Sequence, residues 1–135
     1  MGDREQTCQN VVEQFCKAWF EARNVEKTLE YLCSDIQYIG TAQQEAACGL
    51  EAMRAYLTAD IQALNTSFSV TFPSINCRLL QPALGTVFTE IILQNSQCAG
   101  HLRGFFILCC QGEQWKIQSL HFAEPGRSQK GQRSY

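Results

Sequence analysis

The sequence predicts an α+β domain, with helices in its first half and a mostly antiparallel sheet in its second. Three observations carry this. Residues 86–123 contain three β-type runs, TVFTEIILQ, HLRGFFILCC and QWKIQSLHF, separated only by NSQCAG and QGE, which suits two successive antiparallel hairpins. Residues 4–22 place apolar side chains at i, i+3, i+4 and i+7, the stripe of a helix lying on a core. In SFSVTFPSINCRLLQ the apolar phase slips from Phe68, Val70 and Phe72 to Ile75, Cys77 and Leu79 at Pro73. One extra residue at a proline marks a β-bulge in a long bent strand, and such a bend lets a sheet curl.

Taken in order, Asp3 with Gln6 three residues on resembles a capping box, and the first helix follows with Cys8, Val11, Val12, Phe15, Cys16, Trp19 and Phe20 inward. Asn24 suits the cap of a short second helix, with Val25, Leu29 and Leu32 facing in. SDIQYIG then changes the period to two, so residues 35–39 read as a strand that Gly40 ends. TAQQEAAC fits either a loop or a short strand. From Gly49 the positions Leu50, Met53, Leu57, Ile61 and Leu64 predict a third helix of about four turns with Asn65 as its C-cap. After Phe122 the periodicity stops, so residues 1–124 read as one domain and 125–135 as a flexible tail or linker.

Strand alternation sorts the hairpin residues into two faces. Pairing Asn95 with Gly100 and Cys110 with Gln114 sets Glu90 opposite Phe105 and Arg103 opposite His121. Glu90, His101, Arg103 and His121 then share a face with Phe88, Phe105, Ile107, Trp115 and Ile117. Mostly apolar with a few convergent polar groups, it has the make-up of a small-molecule pocket. The opposite face, with Val87, Ile91, Leu93, Leu102, Phe106, Leu108, Leu120 and Phe122, also needs a cover, and a second copy of the chain would supply one.

Composition narrows the function classes. A length of 135 residues suits one domain, and a net charge of −2 with no Lys/Arg stripe before residue 127 argues against nucleic acid as a partner. The longest apolar run, FFILCC, is too short to cross a membrane, and MGDREQ has no signal-like apolar region. Gly2 is followed by Gln6 where a myristoylation motif has Ser or Thr, so the chain reads as unprocessed and cytoplasmic. The eight cysteines form no C-x-x-C pair and fall largely at core positions, as small hydrophobes in a reducing compartment do. No metal site and no cofactor is expected, since zinc motifs, Gly-rich phosphate loops and nucleophile elbows are missing.

The Trp19-to-Arg23 ending of the first helix, the Asp35-to-Gly40 strand, the Gly49-Leu50-Glu51-Ala52 opening of the third helix and the Trp115-to-Glu124 strand resemble the SnoaL-like group of the nuclear transport factor 2-like superfamily, over residues 5–124. The resemblance implies a cone-shaped fold, a curved sheet around three helices, with a pocket between the first helix and the concave face. It implies pairing of two copies through the outer sheet face. The superfamily includes isomerases, dehydratases and cyclases beside non-catalytic binding, scaffolding and sensory modules. Asn24 stands where many members have Asp.

Three functional readings follow. The first is a homodimeric domain that binds an apolar or anionic small molecule without chemistry of its own, compatible with a sensory role. Its ligand contacts are expected at Trp19, Tyr38, Tyr56, Phe88, Arg103, Phe105 and Trp115. Arg103 suits an anionic group because its guanidinium offers paired donors. The second is a cofactor-independent isomerase, dehydratase or cyclase with Glu90 as base and His121 as acid. Against that stands a structural network in which Arg103 neutralises Glu90 and His121 completes the polar contacts. The third is a self-association module whose outer face contains Phe106 and Leu120.

Overall fold

Helix α1 (Asp3–Phe20) begins where the Gly2 backbone N–H donates to Glu5 Oε1 at 2.9 Å, so Glu5, and not the expected Gln6, closes the cap. Asp3 and Glu5 in its first turn complement the positive end of the helix. The helix stops at Phe20, two residues short of the expected 22, and Arg23 then adopts a left-handed φ of 53° and turns the chain. Asn24 Oδ1 then accepts the Lys27 N–H at 2.9 Å and opens α2 (Val25–Leu29), as expected of it. The computed structural model describes residues 2–126, so most of the segment read as a tail lies outside the described residues.

Strand β1 (Leu32–Ile39) starts three residues before the predicted 35, and TAQQEAAC resolves into a turn followed by β2 (Ala46–Cys48). Helix α3 (Leu50–Ala63) has the expected length, but Leu64 is its C-cap in place of Asn65 and is 54 % exposed. Four long strands complete the chain: β3 (Ser69–Gln81), β4 (Leu84–Gln94), β5 (Ala99–Gln111) and β6 (Gln114–Ala123). They form one six-stranded sheet in the order β2-β1-β6-β5-β4-β3, antiparallel except where β1 runs parallel to β6.

The predicted bulge lies at Pro73, where the register shifts between Thr71, paired with Ile92, and Ser74, paired with Glu90. Thr89 is fully buried beneath it and satisfies its hydroxyl on the Ser74 carbonyl at 2.8 Å. A second shift lies in β6 at Gln118, since Leu108 pairs with Ile117 while Ile107 pairs with Ser119. That extra residue turns Trp115 and Ile117 onto the same side as Leu120 and Phe122.

The helices cover the side of the sheet that carries Val87, Ile91, Phe106, Leu108, Ile117 and Phe122, all at most 2 % exposed. They meet Cys8, Val12, Phe15, Cys16 and Trp19 from α1, with Met53 and Leu57 from α3. This corrects the expected assignment of faces: Phe106 and Leu120 belong to the core, and Phe88, Glu90, Arg103, Phe105 and His121 lie on the outer side. Hydrophobic burial gives the reason, because the side composed almost wholly of apolar groups goes under the helices and the side with interspersed charges stays in water. The registers differ as well. Glu90 pairs with Arg103, and His121 with Phe105. On the inner side Gly104 is required for close approach, since a Cβ there would lie 2.6 Å from Phe106 Cε1 and 3.1 Å from Phe122 Cε1.

Candidate functional site

Between α1, α3 and the inner side of the sheet lies a cavity of about 150 Å³, lined by Trp19, Phe20, Tyr38, Thr41, Glu45, Tyr56, Asp60, Leu102 and Phe122. Its walls are aromatic. Trp19 stacks on Phe20 with centroids 4.6 Å apart and meets Tyr38, Tyr56 and Phe122 at 5.7–6.0 Å. Such edge-to-face and tilted contacts fix ring positions as well as burying area.

Four ionisable groups enter this aromatic wall. Tyr38 OH donates to Tyr56 OH at 3.2 Å, which leaves the Tyr56 hydroxyl proton without a protein acceptor among the described residues. Burial, then the bond to Tyr56, drives the Tyr38 phenol far above its ordinary range. Burial also raises Tyr56, to about 12, helped by the charges of Asp60 and Glu45. Both phenols are therefore neutral donors at ordinary pH. Asp60, one helical turn beyond Tyr56, accepts from Trp19 Nε1 at 2.9 Å on Oδ2 and has the Arg23 guanidinium 3.7 Å away. Arg23 is itself packed inside, its side chain 8 % exposed and bonded to the Leu64 carbonyl at 2.6 Å. Glu45 Oε1 collects the backbone N–H groups of Thr41 and Ala42 at 3.0 and 3.2 Å and the Thr41 hydroxyl at 3.2 Å. Gly40 permits this convergence, because a Cβ there would fall 2.5 Å from Tyr38 OH and 2.6 Å from Glu45 Oε1.

The expected site residues divide among three places. Trp19, Tyr38 and Tyr56 line the cavity. Trp115 lies under a separate groove of about 480 Å³ with Thr7, Val11, Tyr31 and Lys116. Phe88, Glu90, Arg103, Phe105 and His121 occupy the outer side, away from α1. There Glu90 accepts from Arg103 Nε at 2.9 Å and sits 2.6 Å from His101 Nε2, and Arg103 first, then His101, lowers its pKa. His121 is absent from that network and instead borders a shallow groove of about 220 Å³ with Ile39, Phe105 and Ile107. Asp60 and Glu45 were not anticipated. Asp60 had a readable signal, a carboxylate at i+4 from Tyr56; Glu45 lies in the segment whose structure the sequence left open.

Comparison with known proteins agrees with this fold. The sequence profile of the SnoaL-like domain matches residues 8–125. The chain belongs to the SnoaL-like domain family. No curated protein matches it. Among solved structures it is similar to a nuclear transport factor 2-like protein of unknown function from Pseudomonas putida KT2440, with TM-score 0.80 and 14 % identity over 98 % of this chain and 94 % of that one. It is similar to a ketosteroid isomerase-like protein from Erwinia carotovora atroseptica SCRI1043, with TM-score 0.78 and 8 % identity over 93 % of this chain and 99 % of that one. A third is a provisionally assigned scytalone dehydratase from Novosphingobium aromaticivorans DSM 12444, with TM-score 0.76 and 12 % identity over 90 % of this chain and 83 % of that one. At these identities the likeness is one of fold. Among the described residues no helix is long and apolar enough to cross a membrane.

Proposed function

We propose that this SnoaL-like domain binds a small, largely apolar molecule in the cavity between α1, α3 and the sheet. The observation that carries the reading is the aromatic cavity wall interrupted by few polar groups, of which Tyr56 keeps an uncommitted hydroxyl proton. The anionic ligand expected from the sequence loses its support, because Arg103 lies on the outer side with Glu90. A panel of small alicyclic and aromatic molecules, neutral and amine-bearing, followed by thermal shift, tests the proposal. At least one should raise the melting temperature in a dose-dependent way, and Leu102→Trp, which fills the cavity, should abolish the effect. A panel without any such response overturns it.

A second reading, cofactor-independent acid–base catalysis, is favoured by one arrangement: the Tyr56 hydroxyl faces the same cavity as the Asp60 and Glu45 carboxylates. Ketosteroid isomerase-like and dehydratase-assigned proteins share the fold. On this reading Tyr56→Phe removes turnover of a substrate that the variant still binds; unchanged turnover sinks it. Catalysis by Glu90 and His121 would have to take place on the outer side, in the groove that His121 borders. The exposed apolar groups of that side support the pairing of two copies through it that this reading includes.

A further inference from the structure

The cavity carries a charge preference that its aromatic wall alone does not express. Trp19, Phe20, Tyr38, Tyr56 and Phe122 line it together with two carboxylates, and no Lys, Arg or His is among the lining residues. Each carboxylate has one oxygen engaged. Glu45 uses Oε1 for the Thr41 and Ala42 contacts, and Asp60 uses Oδ2 for Trp19 and Arg23. Glu45 Oε2 and Asp60 Oδ1 have no hydrogen-bond partner among the described residues. Arg23 offers a ligand little compensation: two of its nitrogens are bonded to the Trp19 and Leu64 carbonyls, and its Nε is buried without a partner.

Each ligand class meets these groups differently. An anion entering the cavity is repelled by two carboxylates, with one buried guanidinium to offset them. A neutral apolar molecule removes water from two open carboxylate oxygens and gives nothing in return. A cation with alkyl substituents satisfies both demands, since its charge is offset by the carboxylates and its alkyl groups pack on the rings, whose π-faces attract cations. The volume of about 150 Å³ suits a head group of trimethylammonium size. We propose that the cavity takes the head of an organic ammonium ion, an alkylated amine, with its charge offset by Asp60 and Glu45. The proposal rests on the reading of this cavity as the binding site. The negative field is also visible in the tyrosines, since Asp60 and Glu45 both raise the pKa of each phenol.

Choline and 3,3-dimethylbutan-1-ol, which share a shape and differ in charge, separate the alternatives when titrated calorimetrically into the full chain. Choline is expected to bind about tenfold or more tightly than the alcohol. Glu45→Gln, which keeps the Oε1 acceptor and removes the charge, should erase most of that ratio, and so should Asp60→Asn. Leu102→Trp should abolish binding of both. If the alcohol binds as well as choline and Leu102→Trp blocks it, the cavity is a binding site and the ammonium assignment is wrong. Choline binding that survives Leu102→Trp lies elsewhere and also overturns the assignment. Neither probe binding overturns it too; the cavity reading then falls only if the apolar panel fails as well.

Discussion

Arg23 shows how much of the site depends on one side chain with an unfavourable backbone. Its φ of 53° is a left-handed conformation that costs a non-glycine residue roughly 1–2 kcal/mol. The chain tolerates this because the guanidinium bonds the Leu64 carbonyl and steadies Asp60 behind the cavity. Arg23→Ala keeps the strain and loses those contacts, so urea unfolding should show a loss of about 1–3 kcal/mol. Arg23→Gly loses the same contacts and relieves the backbone, so it should be the less damaging change by about 1 kcal/mol. Equal losses would mean that the left-handed turn carries no strain. The phenols and buried thiols give a second prediction, on pH. Burial raises Cys8 and Cys33 from 9.0 to about 12 and Tyr56 from 10.0 to about 12. A raised pKa means that the folded chain holds the proton longer than the unfolded one. The stabilisation is therefore complete below pH 9.0 and is lost as pH climbs towards 12. Melting temperatures from pH 7.5 upward should stay level to about 9 and then fall, and Tyr56→Phe should shallow the part of the fall above about 10.

Strand β5 places its tightest contact at Gly104, between the Phe106 and Phe122 rings. Both rings are core members at most 2 % exposed, so a methyl group at Gly104 cannot be absorbed by motion into solvent. Gly104→Ala is expected to cost about 1–3 kcal/mol by overpacking, measured by urea unfolding. A neutral result would show that the rings relax together. The nearest obstacle, Phe106, stands two residues along the same strand, whereas the Phe122 contact comes from β6 and depends on register. Register also limited what else was legible. The Pro73 bulge could be read because proline accompanies the phase slip from Phe72 to Ile75. The Gln118 bulge has the same signature, Trp115 and Ile117 giving way to Leu120 and Phe122, but no proline marks it, and an unbroken alternation misplaces Trp115. The faces were sorted correctly within β4 and β5 and assigned to the wrong sides. Alternation states which residues lie together; only the packing of α1 and α3 states which set they cover. Trp19 and Tyr38 were identifiable as large aromatics near a helix end and a strand end, and Tyr56 as one on the third helix, whereas Glu45 reaches the cavity through a turn that the composition of TAQQEAAC does not specify.

Once the sheet is seen from outside, its uncovered side presents Ile39, Phe88 and Phe105 at 55, 48 and 44 % exposure. Glu90, His101 and Arg103 stand beside them as a closed charge network. An apolar centre edged by mutually satisfied charges supports the proposed pairing of two copies through this side. Pairing two copies through it leaves the cavity of each subunit open, since that cavity lies on the other side of the sheet beneath α1 and α3. Binding and association should therefore be separable by mutation. Phe105→Glu or Phe88→Glu is expected to convert a dimer at tens of micromolar into a monomer in sedimentation velocity, with the melting temperature and cavity binding nearly unchanged. Phe106→Glu, one residue along, places a charge in the core and should unfold the chain outright. Arg103→Ala should leave stability almost untouched, because the ion pair it removes is exposed and screened by water. A chain that sediments as a monomer before mutation, or a dimer that survives both glutamate variants, moves the interface off this side of the sheet.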